Sequence, residues 1–119
     1  MIQSQASSLI RSTSDQVFNF IAVDFYKNYR RWSPEVVHLE PKSDGPVRIG
    51  TTCRQVRIDK GRRTESTFRV SNFEPGKRID FQGTTDPFHV SYQLDSFADQ
   101  TRLTFIFELY RLELYMRPF

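Results

Sequence analysis

The chain has 119 residues and 14.1 kDa, with 17 basic against 14 acidic side chains and a formal charge of +3. That length fits one domain, residues 1–119, and leaves little room for a second. One cysteine excludes an intrachain disulfide and a cysteine-based zinc cluster, and no run approaches the 18 or so apolar residues of a membrane helix. Val, Ile, Leu and Phe together number 33, enough for a real core despite a mean hydropathy of −0.54. The first residues, MIQSQASSLIRSTSD, lack the basic segment followed by an apolar run of a secretory signal, so the expected compartment is cytoplasmic.

In chain order, residues 2–11 alternate loosely and predict a strand. Ser14 then opens a helix, with Val17, Phe18 and Ile21 spaced for one apolar face and Asp15 at the positive end of its dipole. A second helix runs from Asp24 to Trp32, carries Phe25, Tyr29 and Trp32 at helical spacing, and stops at Ser33-Pro34. From Val36 the pattern is strand after strand. Val36 to Glu40 is followed by a loop from Pro41 to Gly50. Thr51 to Ile58 and Arg62 to Phe73 form a hairpin about Asp59-Lys60-Gly61, where glycine can take the positive φ of the turn. After the turn Glu74-Pro75-Gly76-Lys77 comes a short strand, Arg78 to Gly83. Phe88, Val90, Tyr92 and Leu94 alternate with polar residues. So do Leu103, Phe105, Phe107 and Leu109, after a turn at Ala98-Asp99-Gln100. Strand, two helices and six strands joined by hairpins make an α+β fold with an antiparallel sheet, one face wet and the other dry.

Several short motifs recur in a recognisable order: Val17-Phe18, Asn28 with Arg31-Trp32-Ser33-Pro34, Ile49-Gly50-Thr51, Thr64-Glu65, Phe73-Glu74-Pro75 with Arg78-Ile79, and Thr101-Arg102-Leu103-Thr104. This pattern resembles the polyketide cyclase/dehydrase family of the START-like superfamily (SRPBCC, related to the birch pollen allergen), over about residues 2–114. The resemblance implies a helix-grip fold: a curved antiparallel sheet of about seven strands, two short helices closing one end, and a cavity for a hydrophobic small molecule. It also implies a long C-terminal helix in the grip. Here the final strand is expected from about Thr101 to Leu114, and the helix is expected to be absent or truncated. The dry face would then be uncovered, which predicts either a longer native chain or a homodimer in which two copies bury each other's open faces.

Phe68, Phe81, Phe88, Tyr92, Phe105 and Phe107 are expected on the concave face, with Phe25, Tyr29 and Trp32 near its mouth. They are the candidate ligand-binding residues, although the same rings could fill a solid core. Arg57, Glu65 and Arg69 lie on the middle strands, and the parity of Glu65 and Arg69 puts those two on the wet face. No catalytic residue can be assigned. His38 and His89 each stand alone and read as surface or edge histidines, so no metal site and no cofactor is expected. Cys53 reads as a buried, inert thiol. Arg54, Arg57, Lys60, Arg62 and Arg63 cluster on one hairpin, a solvated edge rather than a nucleic-acid footprint because no aromatic residues interleave them. Three functions follow, in order. The first is binding or transport of a lipid, isoprenoid or polyaromatic. A polyketide aromatase/cyclase or dehydratase comes second, and an RNA- or protein-interaction module through the Arg54–Arg63 hairpin third.

Overall fold

A computed structural model describes residues 2–110. The elements run β1 (Ile2–Ile10), α1 (Ser14–Phe18), a π-helical segment (Asn19–Val23), α2 (Phe25–Trp32), β2 (Val36–Pro41), β3 (Thr52–Asp59), β4 (Arg62–Glu74), β5 (Arg78–Gly83), β6 (Phe88–Phe97) and β7 (Gln100–Leu109). All seven strands form one antiparallel sheet in the order β1-β7-β6-β5-β4-β3-β2. The chain therefore leaves one edge of the sheet through the two helices, re-enters at the other, and returns as a meander.

The first helix is shorter than its apolar spacing predicts. It opens at Ser14 as expected, and Thr13 caps it in a reciprocal capping box with Gln16. After Phe18 the coil widens, and Asp24 N–H donates to the Asn19 carbonyl over five residues. The freed Phe20 carbonyl accepts instead from the buried Asn28 side chain at 3.0 Å. Val17, Phe18, Ile21 and Ala22 nevertheless all remain buried, so the widened turn keeps their common face. The Lys60-Gly61 hairpin has φ of 52° and 82°, the left-handed pair that suits a two-residue turn between twisted strands. At the β6–β7 turn Phe97 pairs with Gln100, so Gln100 already belongs to the strand.

Cross-strand register decides the two faces. Ile79, Tyr92, Phe105 and Ala6 form one row, and Phe81, Val90, Phe107 and Ser4 the next, all on the side covered by the helices. Bulges between Val36 and His38 and between Val70 and Asn72 interrupt the pairing, and such bulges bend the strands that carry them. Phe25 of α2 sits against Phe68 and Phe81 with ring centroids at 6.1 and 4.8 Å. It anchors a core that includes Phe18, Val36, Val70 and Ile79. The last strand ends at Leu109 with Tyr110 outside it, which is shorter than expected; the remainder of the expected strand, and any helix after it, lies outside the described residues.

Candidate functional site

The concave face holds two adjoining chambers. The first, of about 450 Å³, is walled by Phe25, Phe68, Phe81, Phe88, Val90, Phe105 and Phe107. Its other end is polar, formed by Tyr29, Ser33, Gln55, Arg57, Thr64 and Ser66, with Asp86 at the rim of the Gly83–Phe88 loop. The second, of about 660 Å³, lies under the first helix between Ile10, Ser12, Val17, Phe20, Ile21, Trp32 and Leu103. Ser33, Tyr92 and Phe105 border both.

The polar end follows from the pairing of β3 with β4. Gln55 stands opposite Ser66 and Arg57 opposite Thr64, which aims all four at the helices. Tyr29, reaching down from α2, donates through its hydroxyl to Gln55 Oε1 at 2.9 Å. Gln55 Nε2 in turn donates to Ser66 Oγ at 3.1 Å. Gln55 is 5 % exposed, so this relay satisfies a buried amide that would otherwise be expensive. Arg57 lies beside it, held by Asp59 at 3.3 Å through Nε and Nη2 and near Glu35 at 3.6 Å. Burial raises the Tyr29 phenol above its ordinary range, while Arg57 pulls it partly back. Burial raises Tyr92 further still, against a smaller opposing effect of the Trp32 hydrogen bond. Both phenols are therefore proton donors at neutral pH, not bases.

The structure brings eight of the nine candidate residues to the first chamber: Phe25, Tyr29, Phe68, Phe81, Phe88, Tyr92, Phe105 and Phe107. Trp32 borders the second, and its Nε1 donates to Tyr92 Oη at 3.2 Å. The mouth position expected for Phe25 and Tyr29 is thus corrected: Phe25, 1 % exposed, lies deep in the core and Tyr29 is buried beside it, whereas Trp32 is half-buried on the wall of the second chamber. Sequence reasoning missed Gln55, Ser66 and Thr64. Their signal was available in the parity of β3 against Cys53 and of β4 against Phe68, but polar side chains on a dry face attract no attention as a pattern.

His89 is the other correction. It is no isolated surface residue: its Nδ1 lies 3.2 Å from Glu108 and its Nε2 3.3 Å from the buried Asp80. Asp80 also accepts from Arg78 at 2.8 and 2.9 Å and from Ser91 at 2.7 Å. These partners sit on neighbouring strands of the convex face, where sequence spacing does not reveal them. The cluster is closed by its own hydrogen bonds. No group of three or more His, Cys, Asp or Glu suited to a metal occurs among the described residues.

His38 is exposed, and Cys53 is 1 % exposed, with its thiol pushed up to about 11 by burial. Glu65 lies on the wet face in an ion pair with Arg54, and also 3.3 Å from Arg63, while Arg69 is exposed there. Arg54 further approaches Glu40 at 3.7 Å, so most of the hairpin's guanidinium charge is met within the protein.

A family model described as polyketide cyclase/dehydrase and lipid transport matches residues 1–119. Among solved structures, the chain is similar to the major latex-like protein 151 of Panax ginseng, with 10 % identity, 89 % of this chain and 76 % of that chain covered, and a TM-score of 0.71. It is similar to TTHA0849 of Thermus thermophilus, with 16 % identity, 90 % and 73 % coverage, and a TM-score of 0.71. The Polyketide_cyc-like protein Cgl2372 of Corynebacterium glutamicum gives 18 % identity, 94 % and 68 % coverage, and a TM-score of 0.64. At these identities the likeness is one of fold. Among curated proteins none matches the sequence. No described helix is long and apolar enough to cross a membrane.

Proposed function

We propose that this chain, which belongs to the polyketide cyclase/dehydrase and lipid transport family, binds and carries a hydrophobic small molecule between its sheet and its helices. The supporting observation is the first chamber, whose walls are aromatic and whose polar end is a neutral relay from Tyr29 through Gln55 to Ser66. Such a site recognises its ligand by shape and by removal of apolar surface from water, with a few hydrogen bonds to orient it. A lipid, an isoprenoid or a polyaromatic bearing one oxygen fits this chemistry. Its body lies among Phe81, Phe88 and Phe107, and its oxygen meets Tyr29, Gln55 or Arg57. The cytoplasm is the proposed compartment. Native mass spectrometry of protein purified from its own host tests the reading, because a retained apolar ligand would appear as an added mass.

A second reading, an aromatase/cyclase or dehydratase acting on a polyketide-like chain, draws on Arg57 and Tyr29 standing at the same end of the chamber. With the Tyr29 O–H turned from Gln55 to the substrate, the phenol and the Arg57 guanidinium would together hold a carbonyl oxygen and stabilise negative charge developing on it. Turnover of a poly-β-ketone substrate, abolished by Arg57→Met with binding retained, would promote this reading over the first. An RNA-binding role for the Arg54–Arg63 hairpin ranks last, since Glu35, Glu40, Asp59 and Glu65 meet Arg54, Arg57 and Arg63.

A further inference from the structure

We infer that the outer edge of β1 is a pairing surface for β1 of a second copy of this chain, antiparallel and centred on Ala6. β1 is an end strand: β7 lies on one side and no described strand on the other. In such a strand every second residue turns its N–H and C=O away from the sheet, ready to accept another strand. The two edges of this sheet are built differently. β2, at the far edge, carries Pro41, a bulge between Val36 and His38, and Glu40 paired with Lys42 at 3.2 Å. Proline, bulge and charge are the usual devices that discourage edge pairing. β1 has none of them. Its nine residues pair with β7 without a register shift, contain no charge and no proline, and are exposed from Ile2 to Leu9. Ile2 is 47 % and Leu9 58 % exposed, in a strand otherwise made of Gln, Ser, Ala and Ile.

The occupant follows from the order of the residues. Ile2–Ile10 reads IQSQASSLI, which is nearly symmetrical about Ala6. A two-fold axis at Ala6 sets Ile2 opposite the partner's Ile10, Ser4 opposite the partner's Ser8 and Ala6 opposite the partner's Ala6. All of these lie on the face that carries Phe105 and Phe107, by their register with β7. On the other face Gln3 meets the partner's Leu9 and Gln5 the partner's Ser7. Ile2 meets the partner's Ile10 at each end of one face, Leu9 lies against the methylenes of the partner's Gln3 on the other, small residues meet at the axis, and no like charges are opposed. A contact that uses one patch twice closes at two copies. At about 3.4 Å per residue the paired edge is about 30 Å long. A ribbon so narrow buries less than the roughly 1,200 Å² of a standard interface, so the dimer is weak and depends on concentration. This inference does not rest on the small-molecule reading.

Sedimentation equilibrium of the full chain from about 5 to 500 µM tests it, the upper end lying in the range of weak complexes. The expected result is a monomer–dimer equilibrium that Ala6→Lys shifts wholly to monomer, with an unchanged circular dichroism spectrum because Ala6 is exposed. Register is read by mild oxidation of cysteine variants. Ala6→Cys should cross-link to itself, since paired Cα atoms about 4.5–5.5 Å apart suit a disulfide. Ser4→Cys alone should not, whereas a mixture of Ser4→Cys and Ser8→Cys should. A wild-type monomer at the highest concentration, a dimer indifferent to Ala6→Lys, or Ser4→Cys cross-linking as fast as Ala6→Cys would each overturn the proposal.

Discussion

Trp32 Nε1 donates to Tyr92 Oη at 3.2 Å, with the two rings 6.2 Å apart and inclined at 74°. This contact ties the end of α2 to the middle of β6, across 60 residues of chain. It also forms a rib between the two chambers, since Tyr92 borders both. Trp32, the chain's one tryptophan, lines the second chamber and is bonded to Tyr92, which lines both, so a ligand in either space lies against Trp32 or its direct partner.

Tyr92→Phe keeps the ring and removes the acceptor. Stability should fall by about 0.5–1.5 kcal/mol, the net worth of a typical hydrogen bond. The indole N–H then turns to water, so Trp32 emission should shift to longer wavelength. Urea denaturation and a fluorescence spectrum check both, and an unchanged spectrum would deny the contact.

Gln55→Leu breaks the relay at its centre, leaving the Tyr29 hydroxyl and Ser66 without their partner. Stranding buried polar groups should destabilise the fold by about 1–3 kcal/mol. Affinity for a long-chain alcohol or ketone should fall toward that of the hydrocarbon of equal length, which itself should bind as before. Calorimetric titration of the two ligand types separates these effects.

High pH should unfold the protein. Burial pushes the Cys53 thiol up to about 11, and burial together with the neighbouring Cys53 pushes Tyr26 up to about 12; Tyr29 and Tyr92 rise as well. In the unfolded chain a thiol titrates near 8.5 and a phenol near 10. The folded state thus holds these protons more tightly, so the stability they contribute is complete below about pH 8.5 and is lost as pH climbs toward 11–12. Urea midpoints between pH 8 and 11 should decline accordingly. At pH 8 without denaturant, Cys53 should react with a disulfide reagent only as fast as the protein opens.

Gly83→Ala should damage the first chamber. A Cβ there would overlap the Asp86 carbonyl oxygen and lie 2.6 Å from the Phe88 ring. The Gly83–Phe88 loop must move, at about 1–3 kcal/mol for an overpacked site. Phe88, stacked on Phe107 at 6.3 Å, moves with it. Thermal denaturation and ligand affinity should both drop; a variant equal to wild type in both would contradict the close approach.

The fold was legible because strand alternation and turn residues are local signals. Phe88, Val90, Tyr92 and Leu94 declare one face without reference to any partner, and Lys60-Gly61 declares its hairpin. The widened turn after Phe18 was hidden, because it depends on Asn28 reaching the Phe20 carbonyl, a contact made only after α2 has packed. The aromatic walls of the site were readable from the same alternation. Its polar end was not: Gln55 and Ser66 acquire meaning only when β3 pairs with β4 and Tyr29 descends between them. His89 was misread for the same reason, since Asp80 and Glu108 reach it across two strand pairings.

The central claim is that the concave cavity takes an apolar ligand, and Trp32 fluorescence during titration tests it most directly. Fatty alcohols, quinones and polyaromatic probes should be added in turn, with the melting temperature followed in parallel. The account predicts saturable quenching or a spectral shift with at least one class, accompanied by a rise in melting temperature, because a ligand that prefers the folded state stabilises it by mass action. Emission and melting curves that stay unmoved across all three classes would contradict it.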